Sequence, residues 1–392
     1  MRFLWLALSM LLPAAAQAPM DPRGVSLARD AEARWIAFDL TPGNQIRFAM
    51  QVDGKPATAI LDTGVSFSVA SRQFARSAAL PHADAPGRAA AIGGAVPIRW
   101  ATVNSLTLGG LERTGGRLAV VDLAPIATGS AAGVDILVGS DILSCCALDI
   151  DYDTRRFRLL PSGRMPFTGT SVPLRIGATT QVYISEVVIA GRRIAPLIVD
   201  TGDGSAITLS HAAWQRSGAR PSRMTSAIAF GIGGAIETDV TILPRLGLGT
   251  RIEPNVELRI EGPGGFSERT RTAGRIGSGL LQRYRVLLDP RAGHMILAAG
   301  RQAGAMPVRS TSGLLIGHDR GRLRVLHVMR GGPAALAGWK TGELICTVDG
   351  ATVPPDAEGA VDTRWSAGSP GRTVALGMCD GGERELTLRE FY

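Results

Sequence analysis

The sequence predicts a mainly β protein built around a duplicated unit, and three observations carry that expectation. Glycine is abundant, at 49 of 392 residues, while aromatic residues make up only 5%. Short Val/Ile/Leu-rich runs alternate with polar residues and stop at glycine-containing turns, the period-2 signature of half-buried strands. Laid against itself with an offset of 138 residues, the chain also repeats. Asp62-Thr63-Gly64 falls on Asp200-Thr201-Gly202, residues 138–143 ("VGSDIL") fall on 276–281 ("IGSGLL"), and Asp151 falls on Asp289. Between them "AIGGAV" at 91–96 meets "GIGGAI" at 231–236 after a two-residue insertion. Duplication is the simplest account of the same signals in the same order.

From the N-terminus, residues 1–18 read "MRFLWLALSMLLPAAAQA": one arginine, an apolar run over 3–12, then small residues at Ala14, Ala16 and Ala18. That is the layout of a cleavable secretory signal peptide, with a run too short to span a bilayer. No later segment approaches 18 apolar residues, so the expectation is export without a transmembrane segment, to the periplasm, the cell envelope or the medium. The formal charge of +8 comes from scattered arginines that form no run of five and do not interleave with aromatics. This describes a solvated basic surface and argues against a nucleic-acid partner.

Each half then reads as strands. "IRFAMQVDGKPATAILDTG" is an alternating run, a turn at Asp53-Gly54 and a second run ending on Asp62; "VYISEVVIAGRRIAPLIVDTG" does the same around Ala190-Gly191 and ends on Asp200. A carboxylate placed straight after an apolar run costs several kcal/mol if it is buried alone. Two such loops facing each other across an approximate twofold axis change the argument. Like charges that close cannot both ionise easily, so the pair holds one proton. One aspartate then serves as base toward a water and the other as acid toward a carbonyl oxygen. A lone Asp-Thr-Gly is an ordinary turn; two copies in matching contexts are not. Other schemes lack their residues: there is no G-x-S-x-G, H-E-x-x-H or Walker loop, no metal-ligand spacing, and the five histidines are isolated.

On these residues the chain resembles the retropepsin-like aspartic protease family, with two units fused in one chain. The resemblance implies an acid-protease fold of two pseudo-twofold-related β-barrel units, over 19–165 and 166–303. It implies that Asp62 and Asp200 are the catalytic pair, with Thr63, Gly64, Thr201 and Gly202 supporting their loops. It also implies that Ile92-Gly93-Gly94 and Ile232-Gly233-Gly234 are the tips of substrate-covering flaps. Water is the nucleophile in that chemistry, so no cofactor and no metal is expected. A monomer with an intramolecular pair follows, because one chain supplies both loops. Four residues depart from the family pattern: Val65 and Asp203 follow the two Asp-Thr-Gly turns, and Arg275 and Ile276 open the second Gly-Ser segment.

From residue 304 the text changes, and 304–392 forms a separate expectation. "GGPAALAGWKTGE" between strand-like runs allows a short helix opened by Pro333 and closed by Gly338. The combination "GGPAALAGWKTGELICTVDG" resembles a PDZ-like domain of the envelope-protease kind. By that resemblance Gly313, Leu314, Leu315 and Ile316 form a peptide-binding loop that receives a chain terminus while the peptide adds a strand. Of the four cysteines, Cys346 and Cys379 lie in two apolar segments of this domain and are the better disulfide candidate. Adjacent Cys145 and Cys146 sit closer than a relaxed bridge prefers, and four buried thiols is the alternative. The reading is therefore an exported aspartic endopeptidase acting on peptides or unfolded proteins. A non-catalytic peptide-binding envelope protein that keeps the same cleft is the alternative.

Overall fold

A computed structural model describes residues 24–123, 133–354 and 363–392; the expected signal peptide at 1–18 lies outside these. The described chain is mainly β, as its alternating runs require.

The repeat is visible in the pairing. In the first half, Ile46–Val52 and Lys55–Leu61 form a hairpin across Asp53-Gly54, and Lys55–Leu61 runs parallel to Ile136–Val138 with Ala59 opposite Ile136. In the second, Tyr183–Ile189 and Arg192–Asp200 form the hairpin, and Leu197 of Arg192–Asp200 lies opposite Gly274. Both partners have moved by 138 residues. Each half continues into a short strand (Val69–Ser71, Ile207–Leu209), a capped helix (Arg72–Ser77, His211–Ser217) and a long hairpin with a glycine tip. The helix caps are Ser71 and Ser210, whose hydroxyls accept from the third helical amide.

A third sheet joins the halves, with Ala147–Asp151 antiparallel to Tyr284–Asp289 at its centre. Leu148 pairs with Leu288 and Ile150 with Val286. Under the 138-residue offset Leu288 is the counterpart of Ile150 and Val286 that of Leu148, so the pairing is its own mirror across a twofold axis. Self-complementary pairing of this kind is what a symmetric interface requires. All four side chains are fully buried, each contributing roughly 1.5–3 kcal/mol of hydrophobic stabilisation.

The C-terminal strands Leu314–His318, Leu323–Val328, Leu344–Val348, Thr373–Met378 and Glu383–Thr387 form their own sheet around Trp339, Trp365 and Leu376. The helix Pro333–Leu336 begins on its proline, and Gly338 follows with φ +74°. Cys346 and Cys379 are bonded across neighbouring segments, Cα atoms 5.1 Å apart. Cys145 and Cys146 are bonded as well, which corrects the expectation drawn from Cα spacing. Their Cα atoms keep the ordinary 3.7 Å; the side chains meet in the turn between helix Ser140–Leu143 and strand Ala147–Asp151. Among the described residues no helix is long and apolar enough to cross a membrane.

Candidate active site

Each Asp-Thr-Gly loop is held first by itself and then by its twin. Gly64 N–H donates to Asp62 Oδ1 at 3.0 Å; the amides of Gly202 and Asp203 both donate to Asp200 Oδ1, also at 3.0 Å. Thr63 and Thr201 are fully buried and exchange bonds across the axis. Thr63 N–H donates to Thr201 Oγ1 (3.0 Å) and Thr201 N–H to Thr63 Oγ1 (3.1 Å). The hydroxyls then donate to the opposite strand, Thr63 to the Val199 carbonyl (2.6 Å) and Thr201 to that of Leu61 (2.7 Å). Every buried polar atom of this lock has a partner, so truncating either threonine strands groups on both halves.

The lock brings the carboxyl groups of Asp62 and Asp200 into hydrogen-bond contact. A Cβ on Gly64 would fall on the Asp200 carboxyl, and one on Gly202 on that of Asp62. Glycine is required here for close approach. The Gly-Ser segments brace the loops from behind: Ser140 Oγ donates to the Val65 carbonyl and Ser278 Oγ to that of Thr201, both at 2.8 Å. Gln45 and Asn44 also reach across, donating to the carbonyls of Gly202 (2.9 Å) and Gly204 (3.2 Å). Nothing in the sequence singles these two out, because a polar side chain in a loop carries no mark of which distant backbone it meets.

Burial pushes the Asp62 carboxyl up from its ordinary 3.8 to about 6, against the opposing pull of the Gly64 amide and the bond to Asp200. Asp200, 7% exposed, is pushed well above the carboxylate range by burial, then by the charges of Asp62 and Asp203. The pair therefore keeps a proton at mildly acidic pH. Asp203 behaves oppositely. Burial raises it, but the Arg275 guanidinium outweighs that and holds it below its ordinary value. Asp203 and Arg275, two of the departures from the family pattern, are one ion pair with Nε 2.8 Å from Oδ2.

These shifts have a consequence for stability. A raised native pKa means that the folded chain binds more protons than the unfolded one, so the associated stability is full below about pH 4 and is lost as pH rises through about 6. Asp62→Asn removes that loss. Its melting temperature is expected to exceed wild type at about pH 7.5 and to converge on it near pH 4, with a ceiling of roughly 3 kcal/mol for two pKa units. Melting curves at both pH values check this; a gap of equal size at both would mean that the carboxyl is not perturbed.

The two long hairpins meet at their tips. His82–Ala91 with Gly94–Thr102, and Thr225–Gly231 with Gly234–Leu248, place Ile92-Gly93 against Ile232-Gly233. Gly233 N–H donates to the Ile92 carbonyl at 2.9 Å. A Cβ on Gly93, whose φ is +90°, would strike the backbone of Gly233 and Gly234. Ile232 packs against a first-half apolar cluster that includes Val69, Ile98 and Leu137.

The expected peptide-binding loop is not brought to this site. Leu314–His318 is an edge strand of the C-terminal sheet. The amides of Gly313 and Leu314 already donate to Ser310 Oγ and Ser312 Oγ, each at 3.0 Å. The neighbouring strand Leu323–Val328 and the turn after it dock on the second glycine-tipped hairpin. Ser226 Oγ lies 2.8 Å from His327 Nε2, Thr225 Oγ1 donates to the Arg330 carbonyl (2.9 Å), and Arg330 pairs with Asp239 (2.6 Å). Met329 and Tyr392 pack there against Val240.

The site thus holds two buried strand-end carboxyls in contact, together with paired glycine-tipped hairpins. Residues 48–142, which carry Asp62-Thr63-Gly64 and the first hairpin tip, match the family model described as aspartyl protease. That match supports a protease. No curated protein matches the chain.

Proposed function

We propose that this chain is an exported, monomeric aspartic endopeptidase with an intramolecular Asp62/Asp200 dyad and a PDZ-like domain that selects or tethers peptide substrates. The observation that carries the reading is the reciprocal Thr63–Thr201 lock, which presents two carboxyl groups to each other inside one chain. With one proton between them, the ionised carboxylate takes a proton from water as that water attacks the scissile carbonyl. The protonated partner donates to the carbonyl oxygen. The neutral partner also removes the repulsion that two adjacent carboxylates would impose. Flap tips that interlock through Ile92 and Gly233 must part to admit an extended chain, then close over it and exclude water. The leader-like residues 1–18 and the Cys346–Cys379 bond both fit an oxidising compartment outside the cytoplasm. The test is cleavage of a mixed peptide library by the mature chain from about pH 3 to 8, the range over which the shared proton is gained and lost. Absence of cleavage throughout would defeat the reading.

The PDZ-like domain has two expected effects. Its edge strand Leu314–His318 tethers long substrates with a free carboxyl terminus, and its docking on Thr225, Ser226 and Asp239 steadies the second flap. Truncation near Met306 is expected to slow short peptides several-fold and long free-acid substrates by roughly tenfold more, an advantage that amidating the substrate terminus also erases. Equal rates for full-length and truncated enzyme on both substrate forms would refute both roles.

A further inference from the structure

The halves differ most beside the dyad. Under the 138-residue offset, Asp203 and Arg275 stand where the first half has Val65 and Leu137. In the first half these positions belong to an apolar cluster. In the second they form a buried ionic network. Arg275 is 2% exposed and lies between two carboxylates, 2.8 Å from Asp203 Oδ2 and 2.7 Å from Glu261 Oε1. Its Nε is also 4.0 Å from Asp200 Oδ2. The remaining acceptors are filled: Ser205 N–H donates to Asp203 Oδ1 (2.9 Å) and Ser267 N–H to Glu261 Oε2 (2.8 Å). The Asp203 side chain is thus clamped, and its backbone amide is one of the two that donate to Asp200 Oδ1.

We propose that the Asp203–Arg275–Glu261 network is a positioning element for the dyad: it aims the Asp203 amide at Asp200 and sets the pH range over which the shared proton is held. This rests on the reading of Asp62 and Asp200 as the catalytic pair. The charges settle the sign. Asp200 faces Asp62, Asp203 and Arg275; Asp62 faces Asp200 and Asp203. Arg275 faces Asp203, Glu261 and Asp200. Arg259, on the neighbouring strand, feels Asp203 and is paired with Glu257 at 3.0 Å, so that pair is neutral. Two carboxylates and one guanidinium leave the network one unit negative, and the uncompensated charge makes the dyad hold its proton to higher pH.

Asp203→Asn is the direct test. The amide keeps the size and the acceptor for Ser205, gives up the oxygen that accepts from Arg275, and removes one negative charge. Both limbs of the kcat/KM–pH profile are expected to move toward acid by about one unit, the scale of a nearby like charge, with the plateau changed only a few-fold. The triple variant Asp203→Val, Arg275→Leu, Glu261→Gln rebuilds the first-half apolar pair, removes the same net charge, and is expected to shift the profile in the same direction. A folded Asp203→Asn enzyme with an unmoved profile would overturn the proposal. So would an unmoved profile with altered peptide preference, which would make the network a substrate subsite. 13C-carboxyl NMR titration of Asp62 and Asp200 reads the same shift without turnover. A wild type that cleaves nothing would therefore sink the catalytic reading while the titration still decides on the network.

Discussion

Asp62→Asn and Asp200→Asn are each expected to abolish peptide cleavage while leaving the fold intact, with kcat/KM lowered by a factor of about 100 or more, the low end for acid–base groups. The amide fits the space of the carboxyl and can still accept from Gly64 or from Gly202 and Asp203. It cannot carry the proton that the pair must exchange with water and with the scissile carbonyl. The two losses are not additive, because either substitution removes the same shared proton. Mixing the two inactive variants is expected to restore nothing. The Thr63–Thr201 lock and the Leu148–Leu288 pairing are both made within the chain, so no half is free to complete another molecule's site. Full activity in either single variant would exclude the dyad. Substantial recovery in the mixture would point to sites assembled between chains.

Gly202→Ala is the second large effect and tests geometry with the chemistry left in place. Both aspartates remain, but the added Cβ lands on the Asp62 carboxyl, and Gly64→Ala does the same to Asp200. The carboxyl groups must separate or one loop must shift, and a displacement of about 1 Å at a reacting centre costs on the order of 100-fold in rate. Melting temperature is expected to fall as well, since the threonine lock next to each glycine must distort. Comparing kcat/KM with the melting curve separates the two effects. Wild-type turnover in a folded Gly202→Ala protein would mean that the carboxyls do not act at contact distance, and the shared-proton mechanism would fail.

How much of this was legible beforehand differs from residue to residue. Asp62 and Asp200 could be found because each is a polar residue ending an apolar run, and because the same letters recur 138 positions later. The glycine tips at Gly93 and Gly233 were legible for the same reason. Asp203 and Arg275 were visible only as two separate departures. Comparing both with Val65 and Leu137 at once would have linked them, since an acid and a base replace two apolar residues together. Gln45, Asn44 and the docking residues Ser226, His327 and Arg330 carried no such mark.

The division has a physical cause. Strand, turn and helix signals are set by neighbours a few residues away, through side-chain alternation, glycine's backbone freedom and serine caps, so the chain states them locally. Duplication then makes a long-range fact readable, because two copies of one unit pack as a symmetric pair. By itself the sequence thus determined the β class, the two aspartate loops and their kinship. Only the tertiary structure decided which groups surround them: the buried partner of Asp203, the bond between Cys145 and Cys146, the engaged amides of Gly313 and Leu314, and the seat of the C-terminal domain on one glycine-tipped hairpin. Those contacts join residues tens to more than a hundred positions apart, or depend on how a turn aims two side chains. Their energies depend on burial and exact distance, which local pattern does not encode.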